Sequence, residues 1–305
     1  MPQKSEVKLP EIGLLILLSF LWGGSFTLTE IAIETIPPAT IVCGRLIVGA
    51  ILLSLFAVWN RVTFPKTLNQ WTPMVLQGIL QSALPFMLIS WGQTHIDSGL
   101  AGLLNTTPPL FVFLIGAFLL HDRSVGKRHL FGILLGLIGV LTIMEPALLS
   151  GESRSTLGQL AVIGASLSYA LAALYARRFN TQPAVLTAAC SMSFAALIIL
   201  PVSVVVDHPM TLAPTLHAVA SVITLGVFST AIAMAIYFRL IRTLGPLIVT
   251  TGSYMRAAFS VLLGVVLLQE EASATLILGL IMIFAAVAVI SGHLKLIPKI
   301  TSKKS

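Results

Sequence analysis

The stretch LFVFLIGAFLLHD, residues 110–122, returns later in the chain as AFSVLLGVVLLQE, residues 258–270. Gly116 matches Gly264 in this pairing, and both stretches end with two leucines, one further residue and a carboxylate, all at a spacing of 148 residues. A spacing close to half of the 305-residue chain indicates that the chain consists of two copies of one unit.

Other features share this offset. Cys43 and Cys190 are 147 residues apart, and the segments LFGILLGLIGVLTI and LILGLIMIFAAVAVI, which follow the two stretches, are also alike. We therefore predict two repeats, residues 1–148 and 149–305, that act together as one unit. Both cysteines lie within apolar runs, which favours buried small side chains over a disulfide or a metal site.

The composition excludes a water-soluble protein. Hydrophobic residues make up 56% of the chain and charged residues only 10%, with a mean hydropathy of +0.98. Soluble domains carry about 25% charged residues. The chain is therefore predicted to be a polytopic membrane protein without an attached soluble domain.

Apolar segments of a length that spans a bilayer recur along the whole chain. About 20 residues in a helix cross the hydrocarbon core, and lipid leaves backbone groups unpaired unless the segments are helical. The predicted fold is an all-α integral membrane protein with ten transmembrane helices, at residues 12–33, 38–59, 73–93, 98–120, 128–147, 157–177, 184–206, 216–239, 245–268 and 274–296.

Five helices per repeat is an odd number, so the second repeat is expected to cross the membrane upside down. Such inverted-topology repeats are typical of secondary transporters, whose substrate sites lie near the midplane between the two halves. The carboxylates that end the matched stretches, Asp122 and Glu270, are then expected at opposite membrane faces, with structural roles in helix-to-helix turns.

The basic residues predict the orientation. Fifteen of the 18 Lys and Arg residues fall on one side of the predicted spans, Arg154 falls on the other, and Arg45 and Arg256 fall within the membrane. The positive-inside rule then places both termini in the cytoplasm of a multi-pass inner or plasma membrane protein. The net charge of +7 fits contacts with anionic lipids at that face and does not indicate nucleic-acid binding.

Arg256 lies about ten residues into the predicted ninth helix, close to the midplane. A guanidinium at this depth costs about 3 kcal/mol on insertion scales, and it cannot deprotonate. Two interpretations stay open: a buried side chain satisfied by backbone carbonyls and hydroxyls, or a cavity-lining cation that meets a substrate carboxylate. The neighbouring Ser253 and Tyr254 are candidates for the same site.

The segment NTTPP, residues 105–109, predicts a break at a similar depth in the fourth helix. Pro108 and Pro109 free the carbonyls of Leu104 and Asn105, and a break within the membrane is tolerated only where it is buried or lines a cavity. The repeat places this break opposite residues 253–257. We therefore predict substrate contacts from Asn105, Thr106 and Pro108, with a packing kink as the alternative.

Further polar and aromatic residues recur at helical spacing. Each set shares one helix face and either lines the cavity or packs helices tightly. The cavity candidates are Gln77 and Gln81 (with Pro85), Trp22 (with Ser25 and Thr29), Tyr237 (with Thr230) and Tyr169 (with Ser166). Arg45 is expected to form an ion pair or outer gate with Glu30 or Glu34, and direct contact with the substrate is the alternative.

Several of these segments resemble the EamA-type transporters, the ten-helix branch of the drug/metabolite transporter superfamily. The resemblance covers nearly the whole chain and is carried by LLSFLWGGSF at 17–26, IPPATIVCGRL at 36–46, the 98–140 segment that begins SGLAGLLNTTPP, and LGVVLLQEEASATLILGLIMI at 263–283. His121 stands where a small residue is usual in this family. Arg256 and Ala257 occupy the positions that match Pro108 and Pro109, so the site chemistry of a relative does not carry over.

The resemblance implies export of amino acids, related metabolites or drugs, without an organic cofactor. No carboxylate falls near the predicted midplane, which disfavours a cation/proton antiporter, and Glu30 is the only plausible proton carrier. The primary hypothesis is therefore an exporter of amino acids or related zwitterionic or carboxylate compounds, and the alternative is a multidrug exporter. An intramembrane enzyme is disfavoured because the chain has no HExxH, GxSxG or GxGD motif, and the missing P-loop disfavours transport driven by ATP hydrolysis in this chain. A monomer is plausible, and the sequence leaves the oligomeric state open.

Overall fold

A computed structural model describes residues 9–96, 98–121, 126–149, 156–268 and 274–291. Every regular element within these ranges is helical, and they contain no β-strand. Asp97, Asp122, Arg154 and Glu270 lie outside the described residues.

The described residues form ten long helical stretches and a short 3₁₀ helix, Pro209–Thr211. Seven of them, α1 to α4 and α6 to α8, are long and apolar enough to cross a membrane, and α10 contains a shorter apolar helix, Ile277–Ile290. The stretches are α1 Leu9–Ile33, α2 Pro38–Trp59, α3 Asn69–Gly92, α4 Leu100–Leu119, α5 Lys127–Leu149, α6 Thr156–Phe179, α7 Ala184–Asp207, α8 Leu216–Leu244, α9 Pro246–Leu268 and α10 Ala274–Ser291.

Proline and glycine set several helix boundaries. Pro38 is the first residue of α2, where its fixed φ suits a helix and its missing N–H leaves no donor unpaired. Gly245 ends α8 with a φ of +82°, a conformation that costs glycine little, and Pro246 begins α9. The α8–α9 connection is therefore a single residue.

Four of the membrane-span candidates contain a π-helical segment, which adds a residue to a turn and shifts the side chains that follow. These segments are Ile79–Ala83 in α3, Ile115–Leu119 in α4, Ser203–Asp207 in α7 and Leu225–Ile232 in α8. The segment in α3 lies within the predicted polar stripe of that helix. The segment in α8 contains Thr230, which accepts a hydrogen bond from Arg45.

The distribution of side chains is that of a membrane protein. Large apolar side chains on the outer faces are exposed, among them Leu55, Phe118, Leu197 and Val205, whereas polar side chains such as Gln77, Asn105, Arg45 and Arg256 are buried. Cys43 and Cys190 are buried and free. In water such an arrangement would be unstable, and in lipid it hides the polar groups from hydrocarbon.

Helix packing follows the repeat. Helices at matching positions in the two halves contact each other: α2 with α7, α4 with α9, and α5 with α10. Other contacts have a counterpart in which each helix is replaced by its match in the other half. The contact of α1 with α9 corresponds to that of α6 with α4, and the contact of α1 with α8 corresponds to that of α6 with α3. Exchanging the halves therefore reproduces these contacts.

The contact between α5 and α10 gives the relative direction of the halves. A Cβ at Gly132 would lie 3.2 Å from the carbonyl oxygen of Ala286, and a Cβ at Gly139 would lie 3.0 Å from that of Gly279. Seven residues forward along α5 thus correspond to seven residues backward along α10. These matching helices run antiparallel.

Close packing at the α5–α10 crossing depends on glycine. We expect Gly139→Leu to destabilise the fold by about 1–3 kcal/mol, because the new side chain would overlap Gly279 and Met282 of α10. The measurement is the melting temperature of purified protein in detergent. Gly13→Leu is the matched control, because a Cβ at Gly13 meets no atom within 4 Å. Equal melting temperatures for the two variants would contradict the proposed packing.

Candidate functional site

The break in α4 separates the helices Ser98–Leu104 and Pro108–Leu114. All three carbonyls at the break find donors. The carbonyl of Leu104 accepts from Thr107 Oγ1 at 2.9 Å and from Ser166 Oγ at 3.2 Å, and that of Thr106 accepts from Ser253 Oγ at 3.2 Å.

The third carbonyl, that of Asn105, accepts a hydrogen bond from Arg256 Nη2 at 3.1 Å. The two irregularities that the sequence placed opposite each other are thus in direct contact. Arg256 is 8% exposed, and its guanidinium carbon lies 5.6 Å from the Trp22 ring and 5.9 Å from the Phe26 ring. At these distances the aromatic faces stabilise a buried cation.

A cavity lies beside this contact. It contains about 700 Å³ of space not filled by atoms, part of which is open to the outside. Helices of both halves contribute side chains, so the cavity lies between the repeats. Its lining residues are Trp22, Ser25, Phe26, Thr29, Arg45, Gln81, Phe86, Ile89, Ser90, Gln93, Pro108, Tyr169, Tyr237, Val249, Thr250, Ser253 and Arg256.

Arg45 is the second cation of this cavity. Its Nε donates to Thr230 Oγ1 at 3.2 Å, and its guanidinium carbon lies 3.9 Å from the centre of the Phe86 ring. The predicted partner Glu30 is exposed and outside the lining, whereas Arg45 is directed to Thr230 and Phe86. The described lining contains no carboxylate.

Trp22 connects the cavity wall to α8. Its indole Nε1 donates to the carbonyl of Ser229 at 3.0 Å, and Ser229 Oγ donates back to the carbonyl of Leu21 at 2.8 Å. The ring centre of Trp22 also lies 5.7 Å from that of Tyr237. These contacts hold two aromatic rings rigidly at the cavity surface.

Unpaired polar atoms lie in the same lining. Tyr237 Oη, Gln81 Oε1 and Gln93 Oε1 are buried and have no hydrogen-bond partner among the described residues. Buried polar groups normally have partners, so these atoms are available to a bound molecule.

The structure separates the predicted site residues into two sets. The cavity brings together Trp22, Gln81, Pro108, Tyr169, Tyr237, Ser253, Arg256 and Arg45. Asn105, Thr106, Gln77 and Tyr254 do not line it. Tyr254 Oη instead donates to the carbonyl of Ile133 at 3.2 Å, while Gln77 and the Asn105 amide are fully buried.

Several lining residues were missed, and some had a detectable signal. Phe26 lies four residues after Trp22, on the face already identified in α1, and Gln93 continues the polar spacing of Gln81 in α3. Phe86 had no such signal, because an apolar aromatic in a transmembrane segment is not informative alone.

Comparisons with known proteins identify relatives. The model of the EamA-like transporter family matches residues 9–145 and again residues 156–292. An uncharacterized inner membrane transporter of Escherichia coli K12, YedA, is 28% identical over 93% of this chain and 92% of its own.

The uncharacterized transporter YoaV of Bacillus subtilis is 23% identical over 88% of this chain and 92% of its own length. Protein PagO of Salmonella typhimurium is 25% identical over 74% and 75% of the two chains. One solved crystal structure matches 94% of this chain and 99% of its own, with a TM-score of 0.76 at 18% identity, which supports the fold.

The division between lining and buried residues can be tested with cysteine labelling. In a Cys43→Ala/Cys190→Ala background, we expect Ser253→Cys to react with a small water-soluble methanethiosulfonate and Thr106→Cys to be protected. The two positions are adjacent, since Ser253 Oγ bonds to the Thr106 carbonyl, but only Ser253 lines the cavity. Equal labelling by mass spectrometry would contradict the assigned lining.

Proposed function

Because this chain belongs to the EamA-like transporter family, we propose that it is a secondary transporter that exports small metabolites. The family assignment makes it a multi-pass membrane transporter. Its proposed substrates are amino acids or related zwitterionic and carboxylate compounds, which would cross the inner membrane through the central cavity.

The observation that carries this proposal is Arg256 in the cavity wall. Its guanidinium has five N–H donors, of which one bonds to Asn105 among the described residues. A carboxylate is the natural partner for the remaining donors. The unpaired oxygens of Gln81 and Gln93 could accept hydrogen bonds from a substrate ammonium group.

Alternating access follows from two repeats of opposite orientation. We propose ten transmembrane helices, with residues 1–148 and 149–305 as the halves of one transport unit. The antiparallel contact of α5 with α10 supports this inverted arrangement. The halves would open the cavity to each face in turn, with bending at the α4 break and at Gly245–Pro246.

A multidrug exporter is the second candidate. Five aromatic side chains line the cavity, and such a surface can bind many apolar compounds. Two buried arginines would repel cationic drugs, however, and the described lining contains no methionine to adapt its shape. The observations therefore favour a metabolite with at least one carboxylate.

The proposed orientation places both termini and the paired Glu11 and Arg239 on the cytoplasmic side, where basic residues can contact anionic lipids. We expect Met210→Cys, which is exposed after α7, to be labelled from outside intact cells. Asn60→Cys, which follows α2, should be labelled only after permeabilisation. Both variants are made without Cys43 and Cys190, and the reverse pattern would overturn the orientation.

Export can be tested directly. Bacterial cells that express the chain are loaded with peptide-derived amino acids, and the medium is compared with that of empty-vector cells. We expect selective release that Arg256→Ala abolishes, because losing one charge-assisted contact costs about 2 kcal/mol, or roughly thirtyfold in affinity.

The control for that experiment is Arg242→Ala, because Arg242 bonds to the carbonyl of Gln182 outside the cavity. All variants are compared at equal membrane expression. Release that survives Arg256→Ala would assign Arg256 to packing, and drug efflux without amino acid release would favour the multidrug exporter.

A further inference from the structure

The cavity holds two buried cations that belong to different halves of the chain. Arg45 lies on α2 of the first repeat and Arg256 on α9 of the second, and both line the same space. Tyr169 lines the cavity together with these two residues. Both charges therefore face the space in which a molecule would bind.

Each guanidinium is held by the protein at one edge. Arg45 uses Nε for Thr230, and Arg256 uses Nη2 for Asn105; these are their hydrogen bonds among the described residues. For Arg45 this leaves the two terminal amino groups, which form the fork that binds a carboxylate in a bidentate way. The Phe86 ring, 3.9 Å from its guanidinium carbon, keeps the plane of that fork fixed.

Within the part of the chain that the structure describes, no carboxylate compensates these charges. The ion pair found among the described residues joins Arg239 to Glu11 at 3.0 Å, and neither residue lines the cavity. A substrate with a single carboxylate would neutralise one guanidinium and leave the other without an anionic partner. A substrate with two carboxylates would neutralise both.

We infer that the substrate carries two acidic groups, one for each arginine, and that acidic amino acids are preferred over their neutral amides. This inference rests on the proposed function and assigns Arg45 as a second substrate-binding residue rather than a gate. The amide oxygens of Gln81 and Gln93 leave a place for the ammonium group.

Glutamate and glutamine make a matched pair of probes, because they differ only in the second acidic group. Binding of radiolabelled glutamate and glutamine to the purified full-length protein is measured by scintillation proximity. We expect glutamate to bind at least about tenfold more tightly, the effect of one hydrogen bond to a charged group. Aspartate and asparagine serve as a second pair.

The variants assign the two acidic groups. Arg45→Gln should weaken glutamate binding by about tenfold or more and leave glutamine nearly unchanged, whereas Arg256→Gln should weaken both. Arg242→Gln, outside the cavity, should change neither. If Arg45→Gln does not fold, Arg45→Lys keeps the charge without the fork and should retain a smaller preference for glutamate.

Two results would overturn the inference while the proposed function stands, provided that binding still depends on Arg256. In the first, glutamine binds as tightly as glutamate. In the second, Arg45→Gln weakens the binding of both amino acids equally. Binding of neither amino acid in a manner that depends on Arg256 would overturn the inference, and the export panel, which covers the other amino acids, would decide the amino acid export proposal separately.

Discussion

The hydrogen bond from Arg256 to the carbonyl of Asn105 joins two groups that lipid alone would not tolerate. The prolines of α4 leave carbonyls without helical donors, and the guanidinium of α9 has donors that it cannot lose by deprotonation. Through this bond the carbonyl of Asn105 gains a donor and the guanidinium of Arg256 gains an acceptor. The pairing connects α4 to α9, and the cavity beside it is lined by Pro108 from the break and by Arg256 itself.

The sequence predicted those parts of the fold and site that depend on local pattern. Composition, the 148-residue spacing and the position of Pro108 and Pro109 were enough to predict an all-helical duplicated protein with Arg256 opposite the break. The Trp22 face of α1 followed from helical spacing. These features depend on which residues are present and how far apart they are, and both can be read directly from a single sequence.

Other positions depend on how each helix is rotated against its neighbours, which spacing does not determine. The π-helical segment Ile79–Ala83 adds a residue between Gln77 and Pro85, so Gln81 lines the cavity while Gln77 does not. Asn105 contributes its carbonyl instead of its side chain, because the break exposes backbone. Arg45 bonds to Thr230, 185 residues away, rather than to the carboxylates nearest in sequence.

Two permanent cations within the membrane also determine how the membrane potential acts on transport. Moving one elementary charge through 100 mV corresponds to about 2.3 kcal/mol. With an acidic amino acid bound, the two guanidinium groups, two carboxylates and one ammonium group sum to one positive charge, so reorienting the occupied cavity opposes the field less than moving both bare arginines would. The empty cavity carries both cations, and its return toward a negative interior is favoured. Such a cycle exports anions without a coupling ion, which agrees with a described lining that contains two arginines and no carboxylate.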